Sequence, residues 1–301
     1  MKKLITVMIM LLAGWSHNVW SFSCRVSATG QNVSSGAANV YVNLVPSIGV
    51  GQNLVVDLSN AIVCKNDSVG SPIIIDYINL RNGSTFGGAL AAFSGSIYWD
   101  GNTYPLPLNS NSSVYTITHT AYRGLPLRLY LTATGAAGGV VINDGELIAR
   151  LNMHKVASDG NPRDFTWNIY ANNRVVVPTG GCDVSARDVT ITLPDYPGSA
   201  AIPLTVRCAQ NQNLGYYLSG NTAGSDNSVF INTASGVSGA KGIGVQLKHN
   251  GTVLPANRTV SLGTVGPSAV SLGLTADYAR TDGQVTAGDV QSIIGVTFVY
   301  L

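Results

Sequence analysis

The stretch CKNDSVGSPIIIDY, residues 64 to 77, places two carboxylates, Asp67 and Asp76, among Asn, Ser and Tyr side chains. Two carboxylates flanking a glycosidic bond can act as acid and base in sugar hydrolysis. Left ionised, they accept hydrogen bonds from sugar hydroxyls and need no shifted pKa. The polar surroundings favour the second role. A secreted glycosidase using Asp67 or Asp76 stands as the alternative from a different class. No other constellation supports an enzyme: the chain has no GxSxG, no HExxH and no glycine loop opening a helix. A metal site is equally poorly supplied. There is no CxxC, and His119, His154 and His249 are scattered without ligand spacing, so neither metal nor cofactor is expected.

Composition narrows the ligand further. Residues 1 to 21 have Lys2 and Lys3 before the apolar run Leu4 to Ala13, with Val19 and Ser21 at the −3 and −1 positions of a cleavage site. The run is too short to span a membrane. It reads as a secretory signal whose removal leaves Phe22 with a free α-amino group. Lys+Arg then falls from 17 to 15, equal to the 15 Asp+Glu. A near-neutral mature chain has no nucleic-acid footprint and no polybasic membrane face. With charged residues only 11% of the chain, its surface is built from Ser, Thr, Asn and Gly and suits neutral, hydroxyl-rich partners.

Short β-rich runs punctuated by Gly, Asn, Ser and Pro recur from NVYVNL to IIGVTFVYL, so the class is all-β and the expected architecture is sandwiches. HNGT, 249 to 252, predicts an Asn-Gly hairpin turn. The chain is long for one sandwich, and VVVPTGGC breaks strand character. The expected division is a first domain at 22–174, a linker at 175–181 and a second domain at 182–301. Cys24 and Cys64 form an early pair and Cys182 and Cys208 a late one, so the economical disulfides are Cys24–Cys64 and Cys182–Cys208. The chain ends in GVTFVYL, with Ile294, Val296, Phe298 and Tyr300 on one face of a strand. From the residues alone, this is either the last strand of a complete sandwich or one that needs a neighbour from another chain.

The segments FSC, ANVYVNL, GQNLVVDLS, CKND, WNIYANN, VVVPTGGCDVSARDVTITLPDYPGS, QNLGYYLSG and VQSIIGVTFVY together resemble the two-domain tip adhesins of type 1-like chaperone–usher fimbriae, the FimH group. That resemblance implies two immunoglobulin-like β-sandwiches: an N-terminal lectin domain and a C-terminal pilin domain lacking its last strand. The groove of the pilin domain would be filled first by a periplasmic chaperone and then, at the outer-membrane usher, by the adjacent tip subunit through donor-strand exchange. Gly288, Ile294, Val296, Phe298 and Tyr300 match its signature. In mannose-binding members a sugar is held by positions corresponding to Phe22, Asn66, Asp67 and Asp76.

Two departures bear on the sugar. Ser68 stands where both branches carry a Tyr, leaving Tyr77, Tyr122 or His154 to offer an aromatic face. HKVASDGNPRDFTW, 154 to 167, is instead similar to the galactose- and N-acetylgalactosamine-binding relatives, the FmlH group, whose pocket residues match Lys155 and Asn161. The resulting expectation is a non-enzymatic adhesin at the tip of a bacterial surface fimbria, binding host glycans that end in galactose or N-acetylgalactosamine, with mannose as the alternative.

Overall fold

In a computed structural model of the protein, residues 22–68, 72–234 and 238–301 are described; the signal expected at 1–21 lies outside them. The described chain is all-β, with one short 3-10 turn at Gly88–Ala92. It divides into two compact units. The first holds the described residues up to Leu44, together with Val56–Leu129 and Ile142–Arg174; the second holds Val45–Val55, Tyr130–Val141 and Val175–Leu301. Thus two segments from within 22–174, and the stretch 175–181, group with the second unit. Side-chain and backbone hydrogen bonds account for this. Fully buried Asn53 donates its amide to the carbonyls of Pro178 and Gly180, each at 2.9 Å, and the Cys182 N–H donates to the Ala136 carbonyl at 2.8 Å.

In the first unit, Leu147–Ala157 is the longest strand, and from Leu151 on its residues alternate between buried and half-buried. Leu151, Met153 and Lys155 therefore point inward while Asn152 and His154 point outward. It pairs antiparallel with Asp76–Leu80 on one side and Arg163–Ala171 on the other. Arg163–Ala171 also pairs in parallel with Gly36–Val42, a pairing that period-two reading could not reveal. A second sheet orders Arg123–Gly124, Ile62–Asn66, Phe22–Val26 and Asn32–Val33, and the Cys24–Cys64 disulfide lies between directly opposed residues within it.

The second unit is built around Gln212–Ser219, which pairs with Val260–Val265 and with the terminal strand Gly295–Tyr300. Cys182–Val184 pairs with Thr205–Cys208, again with the disulfide between opposed residues. The expected hairpin turn is present: Asn250 and Gly251 have φ of 47° and 83°, the doubly positive geometry of a type I′ turn. The terminal strand is the edge of its sheet among the described residues. Ile294, Val296 and Phe298 pack partly against the core, whereas Tyr300 is exposed.

Two local features set stability in the first unit. A Cβ on Gly124 would lie 1.8 Å from the Ser59 carbonyl oxygen, a clash with backbone rather than with a movable side chain. Gly124→Ala is expected to destabilise the protein by about 2–3 kcal/mol in chemical denaturation. The Glu146 carboxylate accepts the backbone N–H groups of Asn143 at 2.9 Å and Ala89 at 2.7 Å. The Asn143 bond is the main cause holding its pKa below the usual range, with partial burial opposing. A depressed carboxylate pKa stabilises the fold above the unfolded value and stops doing so as pH falls through the folded one. Glu146→Gln is expected to lose about 1 kcal/mol at neutral pH, a difference that shrinks below about pH 4 when denaturation is followed against pH.

Candidate functional site

The strand ends gather the polar residues of the first unit. Phe22 opens its strand directly opposite Asn66, which closes the neighbouring one; Asp76 opens its strand opposite Ala157, the last residue of Leu147–Ala157. Residues 158–162 form the turn that leads on to Arg163–Ala171 at this same end. Lys155 faces Ile78, so Lys155 and Asp76 are diagonal neighbours on the inner face, within reach of a long side chain.

These residues form one buried cluster. The Lys155 ammonium lies 2.9 Å from Asp76 Oδ1, with side-chain exposures of 2% and 0%. The Asn66 amide donates to Asp76 Oδ2 at 3.0 Å and to the carbonyls of Ile74 and Ile117 at 2.7 and 3.2 Å. Both carboxylate oxygens of Asp76 are therefore held. Lys155 Nζ also lies 5.6 Å from the centroid of the buried Phe22 ring, which itself packs on Phe165 at 6.1 Å. Lys155 is not a solvated charge at a strand end. It is the cation paired with a buried carboxylate.

The other predicted site residues lie around this cluster in different ways. Asp67 is engaged by the Ser23 hydroxyl and by the Lys65 ammonium at 2.5 Å, both outward-facing residues, and is not brought onto Asp76. Two separately ion-paired carboxylates on different sides of a strand end do not fit an acid–base pair flanking one bond. Ser68 ties down the loop: its N–H donates to Asn66 Oδ1 at 2.7 Å and its Oγ accepts the Ile74 N–H at 3.0 Å. Asn161 is exposed in the 158–162 turn and is not part of the buried cluster. Tyr122 is stacked under Arg25, with the guanidinium 3.8 Å from its ring centroid and Lys65 at 5.1 Å. This cluster of two cations and a ring is not among the sequence expectations. Alternation along FSCRV and IVCKN, which puts Ser23, Arg25 and Lys65 on one face, is the signal that could have found it. Among the described residues, no group of three or more His, Cys, Asp or Glu could hold a metal ion.

Removing Lys155 strands a buried carboxylate. Lys155→Met is expected to destabilise the protein by about 3 kcal/mol in urea denaturation. Adding Asp76→Asn should restore a large part of the loss, because the neutral amide has no charge to desolvate. Equal stability of wild type and Lys155→Met would refute the pairing.

Comparison with known proteins bears directly on this arrangement. Residues 24–168 match the family described as "FimH, mannose binding" and residues 169–300 the family described as "Fimbrial protein". The type 1 fimbrin D-mannose specific adhesin of Escherichia coli (strain K12) is 59% identical over the whole of both chains. The S-fimbrial protein subunit SfaH of Escherichia coli (strain 536 / UPEC) is 39% identical over 95% of this chain and 99% of its own. A solved complex of an archaic chaperone with its tip adhesion subunit from Acinetobacter baumannii covers 92% of this chain and 99% of that one at 13% identity, but with a TM-score of 0.29 it carries no weight. The placement in the galactose-binding branch finds no support in these relatives. The segment 154–167, with Lys155 and Asn161, suggested it, but it is one short stretch against 59% identity along the entire chain. The chain belongs to the FimH-like two-domain fimbrial adhesins, non-enzymatic carbohydrate-binding proteins carried through the periplasm to the tips of surface fimbriae.

Proposed function

We propose that the strand-end cluster of the first unit is the sugar site of this adhesin and that it holds the terminal hexose of a host glycan, with mannose the preferred sugar. The buried Asp76, held by Asn66 and Lys155 beside Phe22, is the observation that carries the reading. The Asp76 carboxylate keeps lone pairs beyond those taken by Lys155 and Asn66, and cleavage after Ser21 would add the α-ammonium of Phe22, opposite Asn66, as a cluster of donors. A vicinal diol matches such a set of acceptors beside donors. The relative at 59% identity, named as D-mannose specific, supports mannose.

A second reading, galactose or N-acetylgalactosamine, is favoured by one observation. Lys155 places an ammonium inside the cluster, and Asn161 lies in the turn at the same end. Hydrogen bonds that only one C4 epimer can make discriminate by about tenfold or more. A glycan array of the mature chain, comparing wild type with Asp76→Asn, tests both. Mannose-terminated signals that fall about tenfold or more in the variant establish the first reading. Galactose-terminated signals that fall instead establish the second, and signals unchanged by Asp76→Asn would remove the site.

The same proposal extends to the terminal strand. Gly288, Ile294, Val296, Phe298 and Tyr300 are taken as the surface completed in trans by the periplasmic chaperone and, after transfer at the usher, by the adjacent tip subunit. The edge position of Gly295–Tyr300 supports this. The φ of 154° at Gly288 sets its backbone against Ser238 and Ala240, where a Cβ would lie 2.3 Å from the Ser238 oxygen. Phe298→Asp is expected to reduce recovery of the adhesin–chaperone complex from the periplasm by about tenfold, since a charge then faces the half-buried core. Unchanged recovery would exclude the strand from the interface.

A further inference from the structure

The outer face of the Leu147–Ala157 sheet carries a groove that the strand-end cluster does not use. It has a volume of about 330 Å³ and is lined by Gly36, Arg81, Asn82, Asn152, Asp164 and Thr166, with Met153 and Phe165 behind. Alternation puts it on the opposite side of the sheet from Lys155: Asn152 and Thr166 are half-buried and Asp164 is exposed, whereas Met153, Lys155 and Phe165 are buried. The two sites share strands but not a surface.

The chemistry of the lining is specific. Arg81 Nη1 donates to Asp164 Oδ2 at 2.8 Å, and His154 Nδ1 lies 2.6 Å from Asp164 Oδ1. The His154 contact, and then Arg81, hold the Asp164 carboxyl below its usual range, so it is an acceptor at neutral pH. Thr166 Oγ1 donates to Asn152 Oδ1 at 3.1 Å, which orients the Asn152 amide. A guanidinium has five N–H donors and an amide two, so the groove offers several donors beside one carboxylate. The charges of Arg81 and Asp164 cancel, which favours a neutral ligand over an anion or cation. The volume lies at the small end for ligand sites and suits one ring. Gly36 leaves its side of the groove open, since a Cβ there would have no atom within 4 Å.

We propose that this groove is a second saccharide subsite, taking a neutral pyranose residue through Arg81, Asn82, Asn152 and Asp164. It rests on the reading of the chain as a lectin but not on the strand-end site. Two subsites on one domain would let a branched or multiply displayed glycan bind more tightly than either alone.

The test is an amide NMR titration of the isotopically labelled mature chain with methyl α-D-mannopyranoside and, separately, methyl β-D-galactopyranoside. Saturable shifts at Gly36, Asn82 and Thr166 are expected to persist in Asp76→Asn and to weaken by about tenfold in Arg81→Gln. The Arg81–Asp164 pair is exposed, so its loss should leave the fold intact. Shifts confined to Phe22, Asn66 and Lys155 would overturn the groove and leave the strand-end site standing. Groove shifts that rise linearly without saturation, or that survive Arg81→Gln, would also overturn it. No shift at either place would remove both.

Discussion

The buried ion pair between Lys155 and Asp76 is the constraint on which the polar strand ends of the first unit depend. An ionised carboxylate with no solvent access is tolerable only with a cation and hydrogen bonds around it. Here Lys155 takes one oxygen and Asn66 the other. The same Asn66 amide reaches the carbonyls of Ile74 and Ile117, and its own oxygen accepts the Ser68 N–H. The carboxylate thereby ties together three strand ends and the loop that follows Asn66. A cluster built this way is organised by its own bonds, so under the proposed sugar-binding role little ordering entropy would be left to lose.

The strand that supplies Lys155 shows how one element serves two surfaces. With a period of two, neighbouring residues are sent to opposite faces, so Lys155 enters the interior while His154 stays outside with Asp164 and Arg81. A shift of one residue in register would exchange them, placing a lysine outside and leaving Asp76 without its cation. The antiparallel pairing on one side and the core-facing Phe165 and Trp167 on the other hold that register.

The second unit poses the opposite problem. Its final strand has a partner on one side, and Val296 and Phe298 reach the core without being fully covered by it. Open edges with apolar residues are a hazard in a chain that remains alone. Under the proposed completion in trans, the same edge would be a means of assembly.

Much of this was legible in the sequence because it is local. Alternating apolar residues, Asn-Gly at 250–251 and cysteines grouped early and late determine strands, a turn and disulfide pairs through chemistry that acts over a few residues or within one sheet. Asp76 became a candidate from the polar stretch that holds it and Lys155 from resemblance; their burial and pairing were visible in neither. Tertiary structure alone decided that Asp67 turns to Ser23 and Lys65 while Asp76 turns inward, that residues 45–55 and 130–141 group with the second unit, and that Arg81, Asn152 and Asp164 share a groove. Each of these depends on which strands become neighbours, including the parallel pair formed by Gly36–Val42 and Arg163–Ala171. Strand neighbours are chosen by burial summed over the whole core, which no short stretch of the chain encodes.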